Sequence, residues 1–212
     1  MSFAALSSQE WGALLVLATA TSFTPGPNTT LSTALAANRG LRAALPFVLA
    51  VPVGWGLMLA LCYAGLGALV QAQPLLRSTI QWGGIAYLLW LASSLARSRT
   101  LAQADGARLQ VGFGQGVALQ FLNIKAWTLA LTLVAQWLAG QPNSAARFAA
   151  VLPVMLAYAF SSNLAYALLG SGLRHWLSGP LRQGQPSYAR LRGFNRSMAA
   201  LLLFTALWMA AL

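Results

Sequence analysis

The stretch Thr24-Pro25-Gly26-Pro27-Asn28-Thr29-Thr30 lies midway along the first long apolar segment of the chain, residues 11–35. A proline lacks the backbone N–H that a helix needs and clashes with the preceding turn, and a glycine permits backbone angles that other residues avoid. Two prolines around a glycine therefore predict a broken helix. Backbone groups freed inside a membrane are tolerated only where they are buried in protein or line a water-filled cavity. The break thus predicts a polar site that contains Pro25, Gly26, Pro27, Asn28 and Thr29.

The composition places this segment in a membrane. Of the 212 residues 58% are hydrophobic and 7% are charged, whereas about 25% are charged in a typical soluble domain. A spanning helix needs about 20 mostly apolar residues. Six segments qualify, at residues 11–35, 45–70, 76–96, 111–138, 148–173 and 197–212. The sequence predicts an all-α integral membrane protein with six transmembrane helices in one domain, residues 1–212.

The start of the first helix is predicted by Ser7-Ser8-Gln9-Glu10, which has the S-x-x-E spacing of a capping box. Ala18-Thr19-Ala20 matches the A-x-A pattern of a signal-peptide cleavage site, but no Lys or Arg precedes the first apolar segment. We therefore expect residues 1–10 to be retained.

The net charge of +11 comes from 13 Lys+Arg against 2 Asp+Glu. In a soluble protein such a balance suggests nucleic acid, but these arginines follow the loops between spans. The first, third and fifth loops hold ten of them: Arg39, Arg42, Arg97, Arg99, Arg108, Arg174, Arg182, Arg190, Arg192 and Arg196. The second and fourth loops hold Arg77 and Arg147. The positive-inside rule predicts a multi-pass inner-membrane protein with both termini outside, in the periplasm, and no nucleic-acid partner. The fifth-loop arginines can also lie on anionic lipid headgroups.

Six spans divide into two halves, about residues 1–96 and 111–212, joined by a cytoplasmic loop at 97–110. An odd number of spans in each half gives the halves opposite orientations, which is the condition for an inverted 3+3 repeat. Transporters built in this way bind substrate near the membrane midplane, on interrupted helices at corresponding places in the two halves. The fourth span is therefore a second candidate for an interruption.

The fourth span contains Gln120-Phe121-Leu122-Asn123-Ile124-Lys125-Ala126-Trp127. Helical spacing puts Gln120, Asn123 and Trp127 on one face, with Lys125 about 200° from Asn123 on an ideal helix. Either the helix is distorted here or Lys125 reaches another surface. A charged side chain at this depth is a functional candidate by default, and Lys125 is the candidate for proton coupling. In the fifth span Asn163 and Tyr166 lie one turn apart and are candidates for the lining of the same site.

These motifs resemble those of the LysE/RhtB-type family of bacterial amino-acid exporters. The resemblance rests on Pro25-Gly26-Pro27-Asn28, on the Arg39-Gly40 turn and on the Asn123-Ile124-Lys125-Ala126 run, and it covers essentially the whole chain. It implies an inner-membrane carrier that exports amino acids with energy from the proton gradient, often as a homodimer. The family usually has a proline where this chain has Ile124, so no proline predicts a break in the fourth span.

The acidic residues restrict the substrate. Glu10 and Asp105 both lie outside the spans, so no carboxylate is available inside the membrane for a divalent cation or for a dibasic amino acid. We expect a neutral amino acid or a similar small zwitterion, with its carboxylate at the helix start after Pro27 and near Lys125. Its ammonium group would meet carbonyl and amide oxygens or an aromatic face, such as Trp55, Trp90 or Trp127.

No cofactor and no metal are expected. Two other classes remain open at this point. A small integral membrane enzyme needs a nucleophile with a base, or a metal cluster, and His175 lies in the fifth loop without an acid nearby. A non-transporting membrane assembly protein would leave the Pro-Gly-Pro-Asn break unexplained.

Overall fold

Residues 5–98, 111–182 and 185–211 are described by the structure, a computed structural model, and nearly all of them are helical. The helices are α1 (Ser8–Phe23), α2 (Pro27–Arg39), α3 (Leu41–Tyr63), α4 (Leu66–Ala72), α5 (Pro74–Arg97), α6 (Phe113–Phe121), α7 (Ile124–Leu133), α8 (Ser144–Ser178) and α9 (Ala189–Ala210). A π-helical turn, Val134–Leu138, continues α7. The two-residue strands β1 (Leu181–Arg182) and β2 (Gln185–Pro186) pair antiparallel between α8 and α9.

Two of the described helices, α3 and α8, are each long and apolar enough to cross a membrane. A third span results if α6 and α7 with its π-helical turn are counted as one helix bent by 66°. The prediction of an all-helical protein with apolar membrane helices is thereby confirmed. The count of six spans and the inverted repeat stay predictions.

The first helix starts and breaks where the sequence predicts. The Ser7 backbone N–H donates to Glu10 Oε2 at 2.7 Å and the Glu10 N–H donates to Ser7 Oγ at 3.2 Å, which is the reciprocal capping box. Helix α1 then ends at Phe23, and α2 begins at Pro27 after an extended Gly26. The first helix is thus interrupted at the predicted place, whereas its role as a membrane span stays a prediction.

Two predicted span boundaries are wrong. The segment 45–70 is not one helix: α3 ends at Tyr63, Gly65 takes a left-handed φ of 109°, and the short helix α4 follows. The prediction failed because the residues of this turn are apolar, and a hydropathy average does not detect a change of backbone direction.

The last helix begins at Ala189 rather than at residue 197, so Arg190, Arg192 and Arg196 lie on α9 and not in a loop. Hydropathy ends a span at the first charged residues, whereas the backbone hydrogen bonds of α9 continue through them.

Helices α1 and α2 run parallel to α8, and α2 packs along it closely. From one end to the other, Glu10 contacts Arg147, Thr19 contacts Tyr158 and Ser32 contacts Asn163. At Gly170 of α8 an added Cβ would lie 2.2 Å from the Thr33 carbonyl oxygen, so a glycine is required for this approach. Helix α3 packs on α6 and α8, and α5 packs on α9.

The arginines counted by loop separate in space. At one end of the bundle, hydrogen bonds join Asn38 near the end of α2, Asn195 on the first turns of α9 and Ser98 after α5. This end carries Arg39, Arg42, Arg97, Arg174, Arg190, Arg192 and Arg196. Arg77 and Arg147 lie in the first turns of α5 and α8. The last turns of these two helices lie at the basic end, so Arg77 and Arg147 lie at the opposite end of the bundle. Arg99, Asp105 and Arg108 lie outside the described residues.

At that opposite end, Arg147 Nη1 donates to Glu10 Oε1 at 2.6 Å. This hydrogen bond and that from the Ser7 backbone lower the pKa of the Glu10 carboxyl from its ordinary value of 4.5 to about 2. The ion pair joins the beginning of α1 in the first predicted half to the beginning of α8 in the second.

Candidate functional site

At the first break, Thr29 caps the beginning of α2. The Gly26 N–H donates to Thr29 Oγ1 at 2.9 Å, and the Thr30 N–H donates to the Gly26 carbonyl at 2.9 Å, so the first turn of α2 is held although Pro27 contributes no donor. On the α1 side, the Thr24 hydroxyl donates to the Ala20 carbonyl. Side chains of the two half-helices thus satisfy backbone groups at the break. The residues between the half-helices can therefore line a cavity.

A second break lies between α6 and α7, and it forms without a proline. Asn123 has extended angles, φ −96° and ψ 98°, and the axis bends by 66°. Ending a helix leaves carbonyl groups without intrahelical partners. Here the indole N–H of Trp127 donates to the Phe121 carbonyl at 2.8 Å, which satisfies one of them.

A glycine on α5 makes room for this break. An added Cβ at Gly84 would lie 2.2 Å from the Leu122 carbonyl oxygen. The backbone of α5 therefore approaches the broken segment more closely than any residue with a side chain would allow. This long-range contact and the Trp127 hydrogen bond accompany the break at a place where the chain has Ile124 and no proline.

The two breaks lie next to each other in the structure. Asn28 Nδ2 donates to Gln120 Oε1 at 2.8 Å, and Gln120 Nε2 donates back to Asn28 Oδ1 at 3.3 Å. Lys125 Nζ donates to the Thr24 carbonyl at 3.2 Å. The residues beside each break in the two predicted halves are thus in direct contact.

The ideal-helix arrangement of the fourth span is wrong because the helix is broken at Asn123. Lys125 is turned toward the first break, so the alternative of a distorted helix is the correct one. Trp127 is buried with an exposure of 5%, lies in the hydrophobic core and faces a different cavity, beside Arg77 and Gln81. It does not share a surface with Asn123 in the way that an intact helix would require.

A cavity lies between the breaks. The space open to the centres of water molecules amounts to about 70 Å³. It is lined by Thr21, Ser22, Thr24, Gly26, Pro27, Asn28, Thr29, Val51, Trp55, Asn123, Lys125, Ala126, Leu129, Met155, Ala159, Ser162 and Asn163. Most of the predicted site residues therefore meet here.

Three of the predicted residues are placed beside the cavity rather than on its wall. Gln120 is fully buried behind Asn28, and Pro25 faces a wider space next to α9. The Tyr166 hydroxyl donates to the Phe23 carbonyl at 2.9 Å, at the end of α1. Asn163 does line the cavity and accepts a hydrogen bond from Ser32 at 2.9 Å.

The cavity offers one charged group and one unsatisfied acceptor. Lys125 is the charged residue among the lining residues that the structure describes, and none of those residues is a carboxylate. Asn123 Oδ1 is buried and has no hydrogen-bond partner within the described part of the chain. A buried polar atom is almost always satisfied, so this oxygen is suited to accept a hydrogen bond from a ligand.

Sequence reasoning missed Ser32, Ser162 and Met155 as neighbours of the site. Ser32 lies one turn after Asn28 on α2, and this spacing could have placed it on the same face. Met155 offered no such clue because nothing in its local sequence separates it from other apolar residues of α8.

The chain matches the family model described as LysE type translocator over residues 19–211. It is similar to the cysteine/O-acetylserine efflux protein of Klebsiella pneumoniae subsp. pneumoniae, with 28% identity over 158 residues, 74% of this chain and 80% of that protein. The cysteine/O-acetylserine efflux protein of Escherichia coli (strain K12) is 27% identical over 151 residues, 71% of this chain and 76% of that protein. No solved structure matches the chain.

The family model covers nearly the whole chain, including both breaks and every described residue of the cavity wall. Proteins of this kind are multi-pass transporters of the inner membrane and not enzymes, which confirms the predictions of transport and of an inner-membrane location. The orientation of the two termini stays a prediction. The chain belongs to the LysE type translocator family.

Proposed function

We propose that this protein is a secondary transporter that exports a neutral or small zwitterionic amino acid by alternating access at the cavity between the two helix breaks. The observation that carries the proposal is that Asn28, Asn123 and Lys125 line one cavity. The relatives named above are efflux proteins for cysteine and O-acetylserine, and both compounds are amino acids with uncharged side chains.

The carboxylate of the substrate is assigned to the Lys125 side of the cavity. Helices α2 and α7 both begin at the cavity, at Pro27 and Ile124. The N-terminal end of a helix carries a partial positive charge and free N–H groups. Together with the Lys125 ammonium group, these two helix starts favour one negative charge.

The ammonium group of the substrate is assigned to the oxygen atoms on the wall. Asn123 Oδ1 lacks a partner within the described residues, and the carbonyl of Thr24 accepts a hydrogen bond from Lys125. The Thr24 carbonyl becomes available when Lys125 turns toward a carboxylate. A second positive charge on the substrate would find no carboxylate on the described wall, and this disfavours arginine and lysine as substrates.

Alternating access would use the breaks as hinges. Helix α1 is mostly exposed and joins α8 through few contacts, whereas α2 is buried along nearly its whole length. Movement of α1 about Thr24–Gly26 would change access to the cavity while α2 stays in place. The basic end of the bundle would face the cytoplasm, with both termini in the periplasm.

Proteoliposome counterflow tests the proposal. Neutral amino acids should exchange faster than arginine or lysine, and Asn123→Ala should abolish exchange while the purified protein stays folded and monodisperse. Thr79→Val is the matched control, because among the described residues the exposed Thr79 hydroxyl donates to the Leu75 carbonyl of its own helix and to no other group. A preference for dibasic amino acids, or full activity of Asn123→Ala, would reject the proposed substrate or site.

Lys125→Met separates binding from proton coupling. If Lys125 carries the proton, Lys125→Met should lose the dependence of transport on a pH gradient, and Lys125→Arg should keep substrate exchange without proton-driven accumulation. Transport by Lys125→Met with its pH dependence intact would remove Lys125 from this role. Dimerisation stays a prediction, and chemical crosslinking in the membrane tests it.

A further inference from the structure

The cavity has one polar side and one apolar side. The polar side is formed by the two breaks described above. The apolar side is formed by Val51 and Trp55 of α3, Leu129 of α7 and Met155 and Ala159 of α8. Trp55 and Met155 are otherwise buried, with exposures of 5% and 2%. A ligand with charged groups at one end and an apolar end opposite matches this division.

Helix α8 shows how the division arises along one face. Met155, Ala159 and Ser162 follow one another at intervals of about one turn, so the wall changes from apolar to polar along the helix axis. The next residue, Asn163, is held by Ser32 Oγ at 2.9 Å. This hydrogen bond joins α2 to α8 next to the cavity, on the helix that carries Met155 and Ala159.

Helix α3 cannot move back to enlarge the cavity. An added Cβ at Gly54 would lie 2.7 Å from the Val117 carbonyl oxygen of α6, and one at Gly56 would lie 2.8 Å from Leu156 of α8. The helix that carries Trp55 is therefore in close contact with neighbours on two sides. Because close-packed helices adjust little, the apolar wall has a fixed position.

The volume sets how much of a substrate fits. Each water molecule requires about 10–15 Å³ of such space, so the 70 Å³ of the cavity holds roughly five to seven water molecules. A wider space next to α9 shares Gly26, Pro27, Asn123 and Lys125 with the cavity, but neither Met155 nor Ala159 lines it. A substrate side chain directed at Met155 and Ala159 therefore enters the narrower part of the site.

We infer that Met155 and Ala159, together with Trp55, form a size filter that restricts transport to amino acids with short, uncharged side chains. The inference rests on the proposed function, because it assigns the side-chain end of the same site. It makes Met155 and Ala159 determinants of specificity, while Asn123 and Lys125 bind the part that all amino acids share.

Two substitutions change the space in opposite directions. Met155→Ala removes apolar atoms from the wall, and Ala159→Val adds two methyl groups to it. A single methylene in an apolar pocket changes discrimination about 10-fold or more. In counterflow with alanine, serine, valine, leucine and phenylalanine, wild type should prefer alanine and serine. Met155→Ala should raise the leucine-to-alanine ratio about 10-fold or more, and Ala159→Val should lower the valine-to-alanine ratio by a similar factor.

Controls make the two levels of failure distinguishable. Leu168→Ala removes a side chain that is exposed on the outside of α8, and it should leave the ratios unchanged. If wild type exchanges none of the five amino acids, the proposed function fails. If wild type exchanges leucine and phenylalanine as fast as alanine, or both cavity variants keep the wild-type ratios, the filter is overturned and the proposed function stands. If Met155→Ala fails to fold, the valine-to-alanine ratio of Ala159→Val decides whether the filter is overturned.

Discussion

Asn38 and Asn195 form a reciprocal amide pair at the basic end of the bundle, and breaking it should destabilise the protein measurably. Asn38 Nδ2 donates to Asn195 Oδ1 at 2.8 Å, and Asn195 Nδ2 donates to Asn38 Oδ1 at 3.0 Å. Both side chains are fully buried, with an exposure of 0%. Asn195 Nδ2 also donates to the Ser98 carbonyl at 3.2 Å, so three helix ends meet in one network.

Asn38→Ala should lower the free energy of unfolding because it leaves a buried acceptor of Asn195 without a partner. Asn195 keeps its bond to Ser98 but loses the partner of its buried Oδ1. A buried acceptor without a partner costs about 1–3 kcal/mol. Hydrogen bonds between membrane helices average ~0.6 kcal/mol, with a maximum of ~1.7 kcal/mol, because the unfolded chain in a membrane also finds partners. We expect Asn38→Ala to lower the free energy of unfolding by about 1–2 kcal/mol.

Reversible unfolding in mixed micelles measures this change. A double-mutant cycle with Asn195→Ala should give a coupling energy of about 1 kcal/mol, because each single substitution already removes the pair. Thr79→Val is again the control and should change the free energy of unfolding by less than about 0.5 kcal/mol. Strictly additive effects of Asn38→Ala and Asn195→Ala would show that the pair does not stabilise the fold, and the reasoning would be refuted.

Gly84→Ala should abolish counterflow, because its Cβ would lie 2.2 Å from the Leu122 carbonyl oxygen and displace the second break; activity like that of wild type would contradict this reading of the contact. Trp127→Phe removes the indole N–H that bonds the end of α6, and should lower the free energy of unfolding by about 1 kcal/mol, with an unchanged value as the contrary result in the same micelle assay. The pKa of Glu10 is lowered from 4.5 to about 2, so its pairing with Arg147 stabilises the fold fully above pH 4.5 and loses this effect as the pH falls toward 2. Glu10→Gln should flatten the fall in melting temperature over this range, and a fall as steep as in wild type would disprove the assignment.

Much of the site was predictable because some of its causes are local. Pro25, Gly26 and Pro27 act on the backbone through their own covalent structure, so the first break is present in the sequence wherever the rest of the chain lies. The polar residues next to it, Asn28 and Thr29, could be assigned by position alone. The apolar composition and the distribution of arginines were equally direct evidence for a membrane protein.

The position of Lys125 was not predictable in the same way. On an intact helix its side chain points away from Asn123, and Ile124 gives no local reason for a break. The direction of Lys125 depends on the bend at Asn123, and the room for that bend depends on Gly84, which is distant in the sequence. The apolar wall of the cavity was not predictable for a related reason. Met155 and Ala159 differ from other apolar residues of α8 by their position next to the cavity and not by their chemical type.

The sequence by itself determined that this chain has the apolar helices of a membrane protein, that its first helix is interrupted at Pro25–Pro27, and that most of its described arginines lie at one end. Only the tertiary structure decided that a second interruption faces the first and that Lys125 joins them. The physical reason is that proline removes a hydrogen bond within its own helix, whereas the second break is stabilised by a carbonyl satisfied by Trp127 and by the room that Gly84 leaves on a neighbouring helix.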